Sequence, residues 1–208
     1  EARSRRVHSM SLSPDGRTLA LAHGKQFHAW DMTLKKERFT PIDLTYHLGG
    51  FDCLSFMPDN SAIVLRGVYY VSLLDPADGR LIWQGKLPEG TKLECIAISR
   101  DGRYLALSHS CIIEIREMAT FQSVARYDGI TKSYERFPAG TRTTQLTFLN
   151  DGRLVSGSAS GRILVWNPRA DAEPELLQGH TGEIKSFAVS PDGKELLSGS
   201  TDTTALLW

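Results

Sequence analysis

Cysteine is scarce in this chain: Cys53, Cys95 and Cys111 are an odd count, and none falls in a CxxC or CxxH spacing. That argues against a disulfide framework and against a zinc site, and it points to a reducing, cytoplasmic setting. An excess of either charge is also missing. Lys+Arg and Asp+Glu both number 24, for a net charge of 0 and a pI near 7.2. No global field draws in nucleic acid or an anionic membrane, so neither is expected as a partner. The dense positive group Arg3, Arg5 and Arg6 reads as a solvated end.

Long apolar runs are absent, and nothing approaches the ~20 residues that span a bilayer. The first residues hold no apolar signal-peptide core. His8, His23, His28, His47, His109 and His180 form no HxH or HxxxH pair, so no metal is expected. Phosphate loops of the GxGxxG or Walker type are lacking, and no cofactor is expected. Sustained helical periodicity is missing too.

What is present is a repeat. Ser-Pro-Asp-Gly stands at 13–16 and at 190–193. Degenerate copies are Met57-Pro58-Asp59-Asn60, Ser99-Arg100-Asp101-Gly102 and Leu149-Asn150-Asp151-Gly152. The aspartates fall at 15, 59, 101, 151 and 192, so successive spacings are 44, 42, 50 and 41. A four-stranded propeller blade takes ~40–45 residues, so one spacing holds an insertion.

Five and three residues before each aspartate stand large apolar pairs: Met10/Leu12, Leu54/Phe56, Ile96/Ile98, Leu146/Phe148 and Phe187/Val189. The residue between is small: Ser11, Ser55, Ala97, Thr147 or Ala188. Such alternation is a two-faced strand, and the large residues are expected to pack between neighbouring blades. Asp-Gly or Asp-Asn then makes a tight turn, because Gly and Asn tolerate positive φ. Second strands follow at Thr18–Ala22, Ala62–Leu65, Tyr104–Leu107, Leu154–Ser156 and Leu196–Ser198. Third strands are expected at Phe27–Met32, Tyr70–Leu74, Ile112–Ile115, Ile163–Trp166 and Ala205–Trp208. Weaker fourth strands fit near Glu37–Ile42, Arg80–Gln84, Ser123–Tyr127 and Pro174–Leu177. The class is all-β, with one domain over 1–208 and units at about 7–50, 51–92, 93–143, 144–183 and 184–208.

The last unit carries Gly179-His180 ahead of its first strand, then Ser-Pro-Asp-Gly, Ser198, Asp202 and a closing Trp208. It closely resembles a WD40 repeat, and the other units extend the resemblance in weaker form over nearly the whole chain. The ending Asp-Thr-Thr-Ala-Leu-Leu-Trp looks like bacterial members. The resemblance implies a β-propeller of four-stranded blades, with five blades visible. Seven blades need ~290 residues, so the 208 residues read as five blades of a larger ring, with a compact five-bladed ring as the alternative. It also implies a structural tetrad of His180, Ser198, Asp202 and Trp208, in which Asp accepts from His, His meets the Ser hydroxyl, and the hydroxyl meets the indole N–H. Three of the four are the residue types of a nucleophilic triad, but their placement matches the tetrad. The fourth unit keeps Ser156 and Trp166. The first has Leu21 at the Ser position with Trp30-Asp31, while the second and third have Leu65 and Leu107 there, with Leu74 and Ile115 in place of Trp. Those units are expected to rely on apolar packing. Cys53 and Cys95 share one register and read as packing residues.

The insertion is Asp128–Thr143, with Tyr134, Arg136 and Phe137 between the flexible Gly129 and Gly140. Aromatic and Arg side chains often anchor interfaces, and Tyr46 and His47 extend the same face. The expected function is a non-catalytic protein-interaction scaffold or sensor, with a protein or peptide partner on that face. The alternative is a regulatory propeller of a larger enzyme or signalling protein.

Overall fold

The computed structural model describes residues 7–23, 26–43, 51–87, 92–109, 111–128, 142–170 and 172–208. Twenty strands and no helix occur among them, in five antiparallel sheets that are blades of a β-propeller. The chain divides into two compact units, Glu1–Leu93 and Glu94–Trp208.

Each sheet starts from a hairpin whose turn the sequence motif builds. Ser13 Oγ donates to Asp15 Oδ1 (2.6 Å) and accepts the Thr18 N–H (2.8 Å). The Asp15 carboxylate takes the Arg17 N–H (3.0 Å), and Gly16 sits at φ 72°. Ser99–Gly102 and Ser190–Gly193 repeat the pattern, with Ser-to-Asp bonds of 2.6 and 2.7 Å. Asn60 supplies the positive φ (62°) where the motif lacks glycine. Turn chemistry thus fixes register within each sheet.

In the first unit, β1 (Val7–Leu12), β2 (Thr18–His23), β3 (Gln26–Asp31) and β4 (Lys36–Glu37) run in that order, and β5 (Ile42–Asp43) also pairs with β3. The fourth strand expected near Glu37–Ile42 is therefore two short pieces; Pro41, between them, has no N–H for the ladder. The second sheet is β6 (Phe51–Phe56), β7 (Ile63–Gly67), β8 (Tyr70–Leu74) and β9 (Leu81–Lys86). Small Ala20, Ala22 and Ala29, with Phe27, meet large Leu54, Phe56, Ile63, Leu65 and Leu74 across the sheet–sheet core.

The register places Met10 and Leu12 opposite Leu21 and Leu19, away from that core. They are 70% and 53% exposed, and Trp30, on the same face, is 37% exposed. The expectation that the large pair packs between blades thus fails within the first unit, because the first sheet turns its small-residue face to the second sheet. It holds in the second, where Leu54 and Phe56 are buried.

In the second unit, the third sheet is β10 (Leu93–Ile98), β11 (Tyr104–His109), β12 (Ile112–Glu117) and β13 (Ser123–Asp128). The fourth is β14 (Thr143–Phe148), β15 (Leu154–Ser158), β16 (Ile163–Trp166) and β17 (Glu175–Leu177). The fifth, β18 (Ile184–Val189), β19 (Leu196–Ser200) and β20 (Ala205–Leu207), has three strands. Ala106, Ile113 and Ile115 pack on Leu146, Phe148, Leu154, Leu164 and Trp166 between the third and fourth sheets. Val155, Ile163 and Val165 pack on Ile184 and Leu196 between the fourth and fifth.

Candidate functional site

The fifth sheet carries a connected group of hydrogen-bonding side chains. His180 precedes β18, Ser198 lies in β19 opposite Phe187, Asp202 lies in the β19–β20 turn, and Trp208 follows β20. Ser198 Oγ lies 2.8 Å from His180 Nε2 and accepts the Trp208 indole N–H at 2.9 Å. His180 Nδ1 lies 2.9 Å from Asp202 Oδ2. An ionised carboxylate only accepts, so Nδ1 carries the ring proton and Nε2 accepts from Ser198. Ser198 and the His180 side chain are fully buried. Every polar side-chain atom of the group thus has a partner, which its buried members require.

Sequence reading missed two residues that complete the network. The Thr181 N–H donates to Asp202 Oδ2 (2.8 Å), and Thr204 gives Asp202 Oδ1 both its hydroxyl (2.6 Å) and its N–H (2.9 Å). The Thr204 hydroxyl, then the two backbone N–H groups and His180, hold the Asp202 carboxyl well below its usual pKa against the opposing effect of burial. The spacing signal was available, since Thr204 stands two residues after Asp202, as Arg17 does after Asp15.

Close backbone approach explains the glycines around His180. A Cβ on Gly179 would lie 2.6 Å from Leu206 Cδ1, and one on Gly182 would lie 2.7 Å from the Asp202 nitrogen. Gly161, at φ 83° in the fourth sheet, rests against the His180 and Gly182 carbonyls, 2.7 and 2.8 Å from where its Cβ would be.

The fourth sheet keeps half of the network: the Trp166 indole N–H donates to Ser156 (2.9 Å), and both residues are buried. Ser160 bonds Ser158 at 3.1 Å. The third sheet overturns one expectation. Leu107 pairs with Glu114 and Leu105 with Arg116, so Arg116, and not Ile115, stands at the tryptophan's register. Arg116 Nη2 bonds Glu114 Oε2 at 2.9 Å, with side chains 16% and 7% exposed, and its guanidinium lies 4.6 Å from the Phe121 ring centre. Burial pushes the Glu114 carboxyl up, but the Ser123 hydroxyl and Arg116 outweigh it and leave the pKa lowered. This sheet therefore uses an ion pair where apolar packing alone was expected.

Cys53, Cys95 and Cys111 are half-buried free thiols, and Cys95 Sγ contacts the Thr143 carbonyl at 3.7 Å. No group of three His, Cys, Asp or Glu among the described residues is placed to hold a metal ion. No helix among them is long and apolar enough to cross a membrane. The candidate partner-binding residues Tyr134, Arg136, Phe137, Tyr46 and His47 lie outside the described residues.

Repeated blades joined by Asp-Gly turns, with the bonded His180, Ser198, Asp202 and Trp208 in the last of them, make a β-propeller. The chain carries WD40 repeats: the family described as WD domain, G-beta repeat matches residues 136–167 and 174–208. It is 44% identical over 55 residues to "Small ribosomal subunit protein RACK1y" of Oryza sativa subsp. japonica, covering 26% of this chain and 16% of that protein. It is 35% identical over 65 residues to "p21-activated protein kinase-interacting protein 1-like" of Xenopus laevis, covering 31% of this chain and 18% of that protein. A longer match, 25% identical over 133 residues, is to "Eukaryotic translation initiation factor 3 subunit I" of Anopheles gambiae, covering 60% of this chain and 40% of that protein. The chain thus spans well under half the length of the relatives it matches.

Proposed function

We propose that this chain is a protein-interaction scaffold or sensor module that binds a protein or peptide partner and carries no catalysis of its own. The observation that carries the reading is the His180 network. Its nucleophile- and base-type side chains are spent on holding the fifth sheet, with Ser198 buried behind Trp208. What such a fold offers outward is its loops and strand ends. Relatives named as kinase-interacting and as a "DDB1- and CUL4-associated factor" point the same way.

The partner face in this proposal is the one carrying the 128–143 insertion, with Tyr134, Arg136 and Phe137 as aromatic and Arg anchors and Tyr46 and His47 as candidates to extend it. The balanced charge argues against nucleic acid and membrane surfaces as partners. Three free thiols fit a reducing, cytoplasmic location.

The test is affinity capture with the tagged chain, beside the same chain lacking 128–143. A partner enriched by the first and lost from the second is the expected result. Calorimetric titration of that partner should then show Tyr134→Ala/Phe137→Ala weakening binding by more than ~2 kcal/mol, about thirtyfold. No partner enriched over an unrelated bait would sink the interaction reading. Equal capture by both forms would move the binding face off the insertion.

A further inference from the structure

A cleft of about 490 Å³ opens in the second unit between the third and fourth sheets, at the end where their Asp-Gly turns lie. That volume lies within the ~300–1,000 Å³ of sites that hold small ligands or short peptide segments. Tyr104, Ile115, Val124 and Phe148 form its apolar part. Ile115 and Phe148 belong to the core, 1% and 9% exposed, whereas Val124 is 53% exposed. The cause is local: the β12–β13 register jumps between Ile115 and Arg116, pairing them with Ala125 and Ser123 and leaving Val124 without a partner opposite.

The rim carries two guanidinium groups that the blades do not need. Arg100 stands where two other turns have the proline of Ser-Pro-Asp-Gly. Its Nη1 donates to the Pro191 carbonyl at 3.4 Å, and Asn150, at the same turn position in the fourth sheet, donates to that carbonyl at 3.2 Å. Arg100 is thus anchored through one of its five N–H groups, and its other guanidinium donors have no acceptor among the described residues. Arg169 is set by its own turn, with its backbone N–H on Asn167 Oδ1 at 3.1 Å. Its guanidinium has no acceptor among the described residues and lies over Gly152, with Nη2 3.3 Å from where a Cβ would be.

The carboxylates lining the cleft are already engaged. Asp101 takes the Ser99 hydroxyl (2.6 Å) and the Arg103 N–H (3.1 Å), and Asp151 takes both the N–H and the Nε of Arg153 (2.9 and 2.8 Å). Among the described residues, the other guanidinium donors of Arg100 and those of Arg169 are left free at the rim, beside an apolar surface that includes an exposed valine.

We propose that this cleft binds an acidic peptide segment of a protein partner, with a large apolar side chain against Val124 and Phe148 and a neighbouring carboxylate on Arg169 and Arg100. The guanidinium fork matches a carboxylate in two parallel bonds, and the apolar contact supplies area that a free ion would not. The inference deepens the interaction reading and rests on it, but it names residues other than those of the 128–143 insertion.

The test titrates the whole chain, by calorimetry and by amide chemical shifts, with the capped peptide acetyl-Gly-Glu-Leu-Glu-Leu-Glu-Gly-amide. Its Gln-for-Glu and Ala-for-Leu counterparts serve as comparisons. The acidic peptide should shift the amides around Arg100, Val124 and Arg169 and bind at least about fivefold more tightly than either counterpart. Arg169→Gln should remove about that factor for the acidic peptide alone and leave the thermal midpoint unchanged, since the guanidinium makes no bond within the fold. Val124→Glu should abolish binding.

Equal affinity for the Glu and Gln peptides, no effect of Arg169→Gln, or shifts elsewhere would each overturn the proposal. So would an anionic vesicle or oligonucleotide that binds the cleft when the peptide does not. Capture by the Arg169→Gln/Val124→Glu chain separates the two readings. A partner that it retains sinks the cleft and leaves the scaffold standing, whereas a wild-type chain that captures nothing sinks the scaffold itself.

Discussion

Replacing Ser198 with alanine removes one oxygen and leaves two buried groups stranded. The hydroxyl takes the Trp208 indole N–H at 2.9 Å and serves His180 Nε2 at 2.8 Å, in a position fully closed to solvent. Each buried donor or acceptor left unpaired costs about 1–3 kcal/mol, and alanine leaves no room for a water to replace both bonds. The sum is about 3 kcal/mol once slight relaxation of the Trp208 ring is allowed. For a chain of this size that is a fall of roughly 6–12 °C in thermal midpoint. The assay is melting followed by near-ultraviolet circular dichroism, with exposed Ser186→Ala in the neighbouring strand as the control. A double-mutant cycle with Trp208→Phe isolates the hydroxyl–indole bond, and a coupling of about 1 kcal/mol is expected. A midpoint change no larger than that of Ser186→Ala, or a cycle that closes to zero, would refute the network as a stabilising unit.

Acidification should weaken the fold through its turns. The carboxyls of Asp15, Asp59, Asp101 and Asp192 are lowered first by the hydroxyls of Ser13, Ser61, Ser99 and Ser190, and Asp202 is lowered first by Thr204. For Asp151, burial raises the value, and the Arg153 N–H and side chain outweigh it. Lowered carboxylates contribute stability that is present above their unfolded pKa of about 3.9 and is lost as pH falls through the folded values. Denaturant midpoints should therefore hold near neutrality and drop steeply below about pH 4; a flat acid limb would contradict the turn bonds. In the third sheet, Arg116→Met alone should cost roughly 3–5 kcal/mol by leaving Glu114 buried without its cation, whereas Glu114→Leu/Arg116→Met should recover most of it in the same denaturant assay. Gly161→Ala should cost more than ~1 kcal/mol, because the backbone is at φ 83° and the new Cβ would meet the His180 carbonyl; an unchanged melting curve would show that the fifth-sheet loop gives way freely.

The Asp-Gly spacing and the period-two alternation were enough to place the hairpin that opens each of the five sheets and nearly every strand, because both signals are local. A Ser-x-Asp-Gly turn bonds within itself, and alternation follows from the pleat. The His180 group was legible only through the resemblance to a WD40 repeat, which sets its four residues at fixed offsets in one unit. Tertiary structure decided the rest. Arg116 at the tryptophan register could not be told from Ile115 by counting, because one residue of slip exchanges the two faces of a strand. The exposure of Met10 and Leu12 depends on whether another sheet lies over them, which their own alternation does not encode. Pro41 was visible in the sequence, but β3 alone shows that the chain pairs with it on both sides of the break. The cleft beside Arg169 exists because a bulge at Val124 and a turn far along the chain meet between two sheets, and distance in space is the one quantity that a repeat cannot carry.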